Sequence, residues 1–505
     1  MTDDLIPLSF NTTRARTRYG WRQFYLARDR FLHEQLRRKG AGMPFGTYVA
    51  PDGNEVETVL VPEDLRQHTL IVGATGSGKS SLLELLARYQ FARRAGVTLI
   101  DLHGDLYTRT AGWALASHAR GLTLLDFTNP DTMPSWNPFR PIAGVDVGRQ
   151  VDLLVGVLKR LYADETAASW AWGVKVEELM RHAIQACIET EAVISFADLP
   201  QFFLVPAIRQ RVIATASDET RAYFTNQFGK REEMYVSAAV NKLQPFLGSI
   251  AVQRFLGRAE STIDLLGVIE RGDTVLVNLA KGYLGPAADV IGRLLVNVLQ
   301  LATLRREAVA PRARTPYAIL LDEAHNLAGP GSGLEDFLVA ARKYGVFVTV
   351  ATQALSLFKS TSFREHIVGN TGRQFFFRMS KREAEAVAKD IFEPLGTMWR
   401  EQIRPYDALT DPLLTPAEEI VARTNELANL PVGACYWLIK GRRYKSRRVQ
   451  VFAPPELPYG RRELRARVAA AYAARTTLDR EPADALDAGA LREPVVVNLS
   501  FSDTP

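Results

Sequence analysis

Residues 68–80 read His68-Thr-Leu-Ile-Val-Gly-Ala-Thr-Gly-Ser-Gly-Lys-Ser80 and decide the fold. The first five residues form a short apolar run, and the rest match the pattern G-x-x-x-x-G-K-[ST]. Residues 80–89 then have the composition of a helix. In a strand–loop–helix unit of this kind, glycines let backbone N–H groups surround phosphates, and the helix N-terminus favours negative charge. The sequence therefore predicts a phosphate-binding loop.

The pattern assigns roles to individual residues of this loop. Lys79 is expected to reach the β and γ phosphates, and Ser80 to ligate Mg²⁺. ATP and Mg²⁺ are therefore the predicted cofactors. The residues predicted to contact the nucleotide are Gly73, Ala74, Thr75, Gly76, Ser77, Gly78, Lys79, Ser80 and Ser81.

A second apolar run, Tyr317-Ala-Ile-Leu-Leu, ends in the acids Asp322 and Glu323. Two acids at the end of a buried strand can hold a metal-bound water and polarise an attacking water. We assign Asp322 to the metal and Glu323 to the water. A carboxylate that activates water favours hydrolysis over phosphoryl transfer to a metabolite, so the sequence predicts an ATPase rather than a kinase.

A neutral amide follows the next apolar run, Val346-Phe-Val-Thr-Val350, in the sequence Ala351-Thr352-Gln353. At the end of a strand, Gln353 would lie beside the γ-phosphate. It is a candidate sensor of hydrolysis, and the alternative is a cap of the strand end.

Short β-branched runs alternate with helical segments from residue 67 onward, which predicts parallel βαβ units covered by helices. The predicted fold is α/β, a P-loop core with a mostly parallel sheet and an inserted all-helical domain. Five segments are expected, namely 1–55, 56–144, 145–262, 263–454 and 455–505. The predicted strands are His68–Val72, Val97–Asp101, Leu122–Phe127, Thr274–Leu279, Tyr317–Asp322, Val346–Ala351, Gln374–Met379 and Ala434–Lys440.

Segments outside the core have their own patterns. Residues 11–40 predict a basic amphipathic helix, and residues 51–54 a turn between strands near Tyr48 and at Val56–Val61. Residues 145–262 predict helices only, at 149–162, 169–190 and 234–247. Residues 461–475 predict an Arg/Ala-rich helix before a Pro- and Asp-containing tail. Residues 495–501 of this tail are strand-like and are a candidate for addition to a sheet edge.

Composition places few limits on function. Lys and Arg number 62 and Asp and Glu 56, giving a net charge of +6, so a polyanion partner must be inferred from where the charges lie. The two cysteines fit neither a disulfide framework nor a zinc site, which indicates a reducing compartment and a cytoplasmic location. The most apolar stretch, Val290–Leu304, contains Arg293 and predicts an amphipathic helix rather than a membrane span.

The order of motifs across residues 56–452 resembles the HerA/FtsK superfamily of hexameric DNA-translocating ATPases, and within it the conjugative coupling proteins of the TraD, TraG and TrwB kind. The matching stretches begin with the phosphate loop and the two acids. The others are Asp101-Leu-His-Gly-Asp105, Trp136-Asn-Pro138, Asn278-Leu-Ala-Lys-Gly282, Leu321-Asp-Glu-Ala-His-Asn326, Arg342-Lys-Tyr-Gly345 and Ala351-Thr-Gln353. The chain departs from membrane-bound coupling proteins, which carry transmembrane helices, and from HerA, which carries a larger N-terminal β-barrel.

The resemblance implies a RecA-like core, a hexameric ring, and active sites completed by the neighbouring subunit. Arg342 stands where coupling proteins place a trans-acting arginine, and Arg373 and Arg378 are alternatives. Asp101, His103 and Asp105 either approach the nucleotide or close a loop, and we favour loop closure. The Gly-rich residues 329–333 are interpreted as a hinge, because no lysine follows them.

A motor that moves DNA needs positive groups facing its channel. The candidates are residues 14–39, Lys230-Arg231, Lys281 and the stretch Lys440–Arg448. The function expected is a ring-forming ATPase that translocates DNA in conjugative transfer, DNA end processing or defence against invading DNA. The alternative is an ATPase of the same superfamily that acts on a protein, bound through the N-terminal helix, the helical insertion or the C-terminal tail. A nucleotide switch with little turnover is the third reading.

Overall fold

The computed structural model describes residues 42–49, 54–142, 145–161, 173–228, 230–328, 334–392, 394, 414–440, 446–456 and 461–478. The basic helix at 11–40, the centre of the turn at 51–54, the hinge at 329–333 and the tail after 478 lie outside these residues. By its contacts the chain forms two units, Met1–Gly460 and Arg461–Pro505. The second unit contains one described helix, Arg461–Leu478, close to the predicted 461–475.

The core of the first unit is an eleven-stranded sheet with the order β2-β1-β11-β10-β9-β3-β8-β7-β4-β6-β5. Strands β9, β3, β8, β7, β4, β6 and β5 are parallel, and β2, β1, β11 and β10 extend the sheet in antiparallel fashion. The strands are β1 Met43–Val49, β2 Glu55–Leu60, β3 Thr69–Val72, β4 Gly96–Asp101, β5 Thr123–Asp126, β6 Thr274–Asn278, β7 Tyr317–Leu321, β8 Val346–Thr352, β9 Arg373–Phe377, β10 Ala434–Ile439 and β11 Ser446–Val451.

The eight strands predicted for the core are confirmed, with ends within two residues of those expected. The parallel strands other than β9 are rich in Val, Ile and Leu, as is typical where helices cover both faces of a sheet. The central strand β3 is buried at every position. Strands β1 and β2 confirm the predicted hairpin.

The basic stretch Lys440–Arg448 is one of the candidates for DNA contact, and the described part of this stretch makes contacts within the fold. Ser446–Val451 forms β11, which pairs with β10 and β1. The Arg447 guanidinium lies 4.8 Å from the centre of the Tyr48 ring. Lys440 donates to the backbone carbonyls of Val368 and Gly369. Residues 441–445 are outside the described part of the chain.

The helices are α1 Pro62–Leu65, α2 Lys79–Ala92, α3 Asp105–Ala116, α4 Val147–Leu161, α5 Val174–Glu189, α6 Leu199–Leu204, α7 Pro206–Ile213, α8 Asp218–Ala222, α9 Lys230–Leu247, α10 Ile250–Leu256, α11 Val268–Arg271, α12 Lys281–Leu284, α13 Pro286–Leu304, α14 Leu334–Ala340, α15 Thr361–Asn370, α16 Lys381–Ile391, α17 Pro416–Ala428 and α18 Arg461–Leu478. The described residues between 145 and 262 contain helices and no strand, as predicted. Their division into a separate domain stays a prediction.

Helix α13 corrects one expectation. It was predicted to be amphipathic, but it is buried on nearly all sides, and even Arg293 is only 7% exposed. The stretch Pro286–Ala308 is long and apolar enough to cross a bilayer, yet 83% of its apolar window lies inside the protein. It packs against the core and against α4 and α9 of the helical insertion, so it is a core helix that joins the two.

Candidate active site

The phosphate loop runs from the end of β3 to the start of α2, as predicted. Gly76 and Gly78 have φ of 71° and 116°, a region that glycine adopts without a steric penalty. A Cβ on Gly73 would lie 2.5 Å from Cβ of Phe377, and one on Gly78 would lie 2.9 Å from Cα of Gly433. The loop therefore needs these glycines both for its curvature and for its close packing.

Three backbone hydrogen bonds fix the loop to the sheet. Gly73 N donates to Thr352 O at 3.2 Å, at the end of β8, and Ala74 N donates to Arg378 O at 2.7 Å, just after β9. On its other side, Gly433 N donates to Ser77 O at 2.8 Å. The loop is thus held between two strand ends and the turn that precedes β10.

Lys79 is 5% exposed and points back over the loop. Its Nζ donates to Gly73 O at 2.7 Å and lies 3.8 Å from Glu323 Oε1. Ser77 Oγ is buried and makes no hydrogen bond within the protein. A cradle with an enclosed ammonium and a buried, unpaired hydroxyl fits a phosphate group.

Asp322 directly follows β7 and is 4% exposed. Its Oδ1 accepts a hydrogen bond from Glu323 N at 3.0 Å. Burial, followed by the charges of Asp101 and Glu323, raises the pKa of Asp322 to about 7. A carboxylate in this position is stabilised by a cation, and Mg²⁺ held by Asp322 and Ser80 would supply charge that offsets the phosphates. The donor set therefore fits Mg²⁺.

Gln353, which the sequence predicts to lie beside the γ-phosphate, contacts Glu323 in the structure. Gln353 Nε2 donates to Glu323 Oε1 at 3.3 Å, so the amide orients the carboxylate assigned to activate water. Glu323 is 5% exposed and has the left-handed backbone angles φ 45° and ψ 45°. A non-glycine residue rarely adopts this conformation, and such strain is concentrated at functional sites.

Three neighbouring residues were not assigned to the site from the sequence. His325 Nδ1 lies 3.4 Å from Glu323 Oε2 and 3.2 Å from Thr352 Oγ1, and burial lowers the pKa of His325. Asn326 Nδ2 donates to Glu323 O at 3.1 Å, and Lys281 Nζ donates to Asn326 Oδ1 at 2.7 Å. The only signal in the sequence was their position in or near the motifs, and the contact between Lys281 and Asn326 joins residues 45 positions apart.

Asp101 closes a loop, which is the role we favoured. Its carboxylate accepts hydrogen bonds from the backbone N–H groups of His103, Gly104 and Tyr107 at 2.8 to 2.9 Å. These bonds fix the start of α3 beside the site. The charge of Asp101 also acts on Asp322, as described above.

The three arginines considered for a trans-acting role occupy different environments. Arg342 is exposed, in the turn before β8. Arg378 is half-buried next to the phosphate loop. Arg373 is 3% exposed and donates to Thr69 Oγ1 at 2.6 Å, so it is not accessible to a neighbouring chain.

Comparison with known proteins agrees with the geometry. Residues 44–134 match the family model described as the central domain of helicase HerA. Comparison with curated protein sequences gives no match.

Solved structures match most of the chain. The bacterial conjugative coupling protein TrwBdeltaN70 is 15% identical with a TM-score of 0.58, over 85% of this chain and 94% of that one. The plasmid coupling protein TrwB in complex with ADP and Mg²⁺ is 16% identical with a TM-score of 0.58, over the same shares. VirB4 of Thermoanaerobacter pseudethanolicus is 15% identical with a TM-score of 0.52, over 82% of this chain and 97% of that one. Residues 44–134 are thus similar to the central domain of helicase HerA, and the chain as a whole has the RecA-like P-loop fold of the coupling-protein and VirB4 structures.

Proposed function

We propose that this protein is a ring-forming ATPase motor that couples hydrolysis of Mg-ATP to movement along DNA.

 
 The ring is proposed to be a hexamer, and ATP and Mg²⁺ are its proposed cofactors. Support comes from the enclosed phosphate cradle, from the oriented Glu323, and from the position of a candidate trans-acting arginine.

The observation that supports the ring is that the phosphate loop and Arg342 lie at opposite ends of the strands of the sheet. The phosphate loop follows β3, whose four residues span about 13 Å. Arg342 lies in the turn that precedes β8, and β8 runs parallel to β3 with Thr352 opposite Val72 at the phosphate-loop end. Arg342 is therefore separated from its own phosphate loop by the length of a strand. It suits the site of a neighbouring copy, where it would stabilise transition-state charge.

A basic cleft at the same edge supports head-to-tail assembly. The cleft has a volume of about 370 Å³ and contains Gly96 and Tyr317, where β4 and β7 begin. Its exposed arginines include Arg66, Arg94 and Arg120. An edge rich in arginine on one copy is complementary to the phosphates bound at the opposite edge of the next, and repeated head-to-tail contacts close into a ring.

The case for DNA rests on the resemblance to coupling proteins and on Lys281. Its side chain is 36% exposed at the end of β6, on the same edge of the sheet as the phosphate loop. Residues 14–39 lie outside the described residues, and Lys230 and Arg231 lie in α9. A cytoplasmic location is proposed as well, since Cys187 and Cys435 are both buried free thiols.

A protein cargo is the second candidate, and the helical insertion favours it. Large apolar side chains at its surface are 52% to 82% exposed, which is typical of surfaces that bind other proteins when they are contiguous. They are Val174, Val193, Leu204 and Ile250.

The test is the ATPase rate of the full chain with poly(dT), with duplex poly(dA)·poly(dT), and with neither, together with its mass in solution with and without ATP. Stimulation by either polymer and a ring-sized mass are expected. An ATPase rate that is the same with and without either polymer would contradict the DNA motor and favour the protein cargo. A monomeric mass under every condition would contradict the ring. Glu323→Gln serves as the control for contaminating ATPases.

A further inference from the structure

The short helix α12, Lys281–Leu284, presents an exposed aromatic ring at the end of β6. Tyr283 is 62% exposed, whereas its neighbour Leu284 is 8% exposed and anchors the helix. Gly282 and Gly285 have no atoms within 4 Å of the position that a Cβ would occupy. A ligand can therefore approach the backbone on both sides of Tyr283.

The backbone that holds this helix is strained and firmly bonded. Ala280 has φ 39° and ψ 62°, which is unusual for a residue with a side chain. Ala280 N donates to Asn278 Oδ1 at 3.1 Å, and Lys281 N donates to Leu102 O at 2.7 Å. The surrounding structure therefore fixes the orientation of α12, and strain of this kind is concentrated at functional sites.

Lys281 joins this surface to the hydrolysis site. Its Nζ lies 2.9 Å from Asp289 Oδ1 and donates to Asn326 Oδ1 at 2.7 Å. Asn326 Nδ2 in turn donates to the backbone carbonyl of Glu323 at 3.1 Å. Only the side chain of Asn326 thus separates the partly exposed ammonium of Lys281 from the strained backbone of the residue assigned to activate water.

We infer that α12 binds a single strand of nucleic acid, with Tyr283 stacked on a base and Lys281 on a phosphate, and that Asn326 transmits this binding to Glu323. The inference rests on the proposed DNA motor. It identifies the residues that contact the strand and the residue that couples this contact to ATP hydrolysis. A phosphate at Nζ replaces Asp289 as the anionic partner and draws Lys281 away from Asn326. Asn326 then releases the backbone of Glu323, which makes Asn326 a positioning residue.

The chemistry of the surface favours a single strand over a duplex or a protein. A base in a single strand offers its face to an aromatic ring, whereas bases in a duplex are stacked on one another. Lys281, in the same short helix as Tyr283, supplies a cation for the phosphate of a strand whose base stacks on the ring. Glycines on both sides give the strand room.

The binding test compares Tyr283→Phe with Tyr283→Leu in the full chain, with poly(dT) as the probe. Phenylalanine keeps an aromatic face and should keep the affinity of the wild-type chain. Leucine keeps only apolar area and should lower the affinity about 5- to 150-fold, as expected for one lost stack. Equal affinity of the leucine variant and the wild-type chain would overturn the inference, and so would a loss of ring mass in that variant, which would make Tyr283 a subunit contact.

The phosphate contact is tested by the salt dependence of the same affinity. Lys281→Met should reduce the slope of log affinity against log salt concentration by about 0.7, the contribution of one phosphate on a single strand. Lys389→Met is the matched control, because it also removes a lysine that pairs with an acid, at 3.2 Å from Glu385, on the exposed face of α16. Equal slopes for the two variants would contradict a contact at Lys281.

The coupling is tested with Asn326→Ala. It should bind poly(dT) as the wild-type chain does, while the stimulation of its kcat by poly(dT) falls toward onefold and its KM for ATP stays near the wild-type value. A merely structural role would change KM or binding too. Full stimulation of this variant would overturn the coupling. If the wild-type chain itself is neither bound nor stimulated by poly(dT), the proposed motor fails together with the inference, whereas failure of the variants alone leaves the motor intact.

Discussion

Glu323 combines features that are seldom found in one residue. It is buried, its backbone is left-handed, and its Oε2 makes no hydrogen bond although its Oε1 accepts one from Gln353. A buried carboxylate oxygen that accepts no hydrogen bond can accept a proton from a water molecule. This supports the assignment of Glu323 as the base.

Glu323→Gln is expected to keep ATP binding and to lower kcat by about 10²- to 10⁴-fold, the usual contribution of a general base. Glutamine has nearly the same shape, so the loop and Lys79 should stay in place. Single-turnover hydrolysis and the affinity for a fluorescent ATP analogue measure the two effects separately. Turnover at the wild-type rate would show that another group activates the water.

Asp322 makes the unoccupied protein less stable as the pH rises. Its folded pKa of about 7 lies above the ordinary value of 3.8, so the folded state binds more protons between these values and stability falls with pH across that range. Asp322→Asn removes this effect. It should stabilise the nucleotide-free chain by up to about 4 kcal/mol at about pH 8, and by less at about pH 5.

Thermal unfolding with a chelator present measures this difference. Asp131→Asn is the control, because Asp131 is an exposed acid in the turn after β5 and should have no such effect. Adding Mg-ADP should stabilise the wild-type chain more than Asp322→Asn. If the stability gain of Asp322→Asn did not depend on pH, the pKa of Asp322 would not be raised in the folded protein.

At the scale of elements, the turn before β10 braces the phosphate loop. Gly433 has φ 81°, donates through its N–H to Ser77 O and accepts through its carbonyl from Val451 N. It thereby joins the loop to the hairpin of β10 and β11. A side chain at this position would meet Gln450 Nε2 at 2.5 Å.

Gly433→Ala should therefore lower the free energy of unfolding by about 1–2 kcal/mol from backbone conformation alone and weaken ATP binding through the displaced loop. Gly369→Ala is the matched control. Gly369 lies in α15 with open space around it, so alanine there should be neutral or stabilising by up to about 1 kcal/mol. Chemical denaturation measures the free energy of unfolding of both variants, and nucleotide titration measures their affinity for ATP. Equal values for the two variants would argue against a role of Gly433 in supporting the phosphate loop.

The sequence predicts this architecture best where structure is local. The order of strands and helices follows from apolar runs, and Gly73 to Ser80 carry their geometry in the pattern itself. Strand β11 was missed because Arg447 and Arg448 were interpreted as free charges, whereas Arg447 packs on Tyr48 across the sheet. The links from Lys281 to Asn326 and from Gly433 to Ser77 were missed for a different reason, since only the folded sheet brings these residues together.

At the scale of the whole molecule, the parallel strands give the sheet two unlike edges. Strands end at the phosphate loop, Asp322 and Glu323, and begin near Arg342 and the arginine-lined cleft. One edge of the sheet presents acids and a phosphate cradle, and the opposite edge of the same sheet presents cations. This polarity is the physical basis for assembling copies in one direction.

A shared site makes a quantitative prediction for mixed rings. Arg342→Ala and Lys79→Ala chains should each be nearly inactive alone, because each lacks one half of every site. In an equal mixture, about a quarter of the interfaces pair an intact Lys79 with an intact Arg342, so about a quarter of the wild-type ATPase rate should return if sites act independently. A mixture of Arg254→Ala and Lys79→Ala chains is the control for dilution, since Arg254 is an exposed arginine of α10. If the mixture of Arg342→Ala and Lys79→Ala chains keeps the mass of a ring but stays as inactive as its components, Arg342 does not act in trans. Arg378, which is half-buried beside the phosphate loop, is then the arginine to test next.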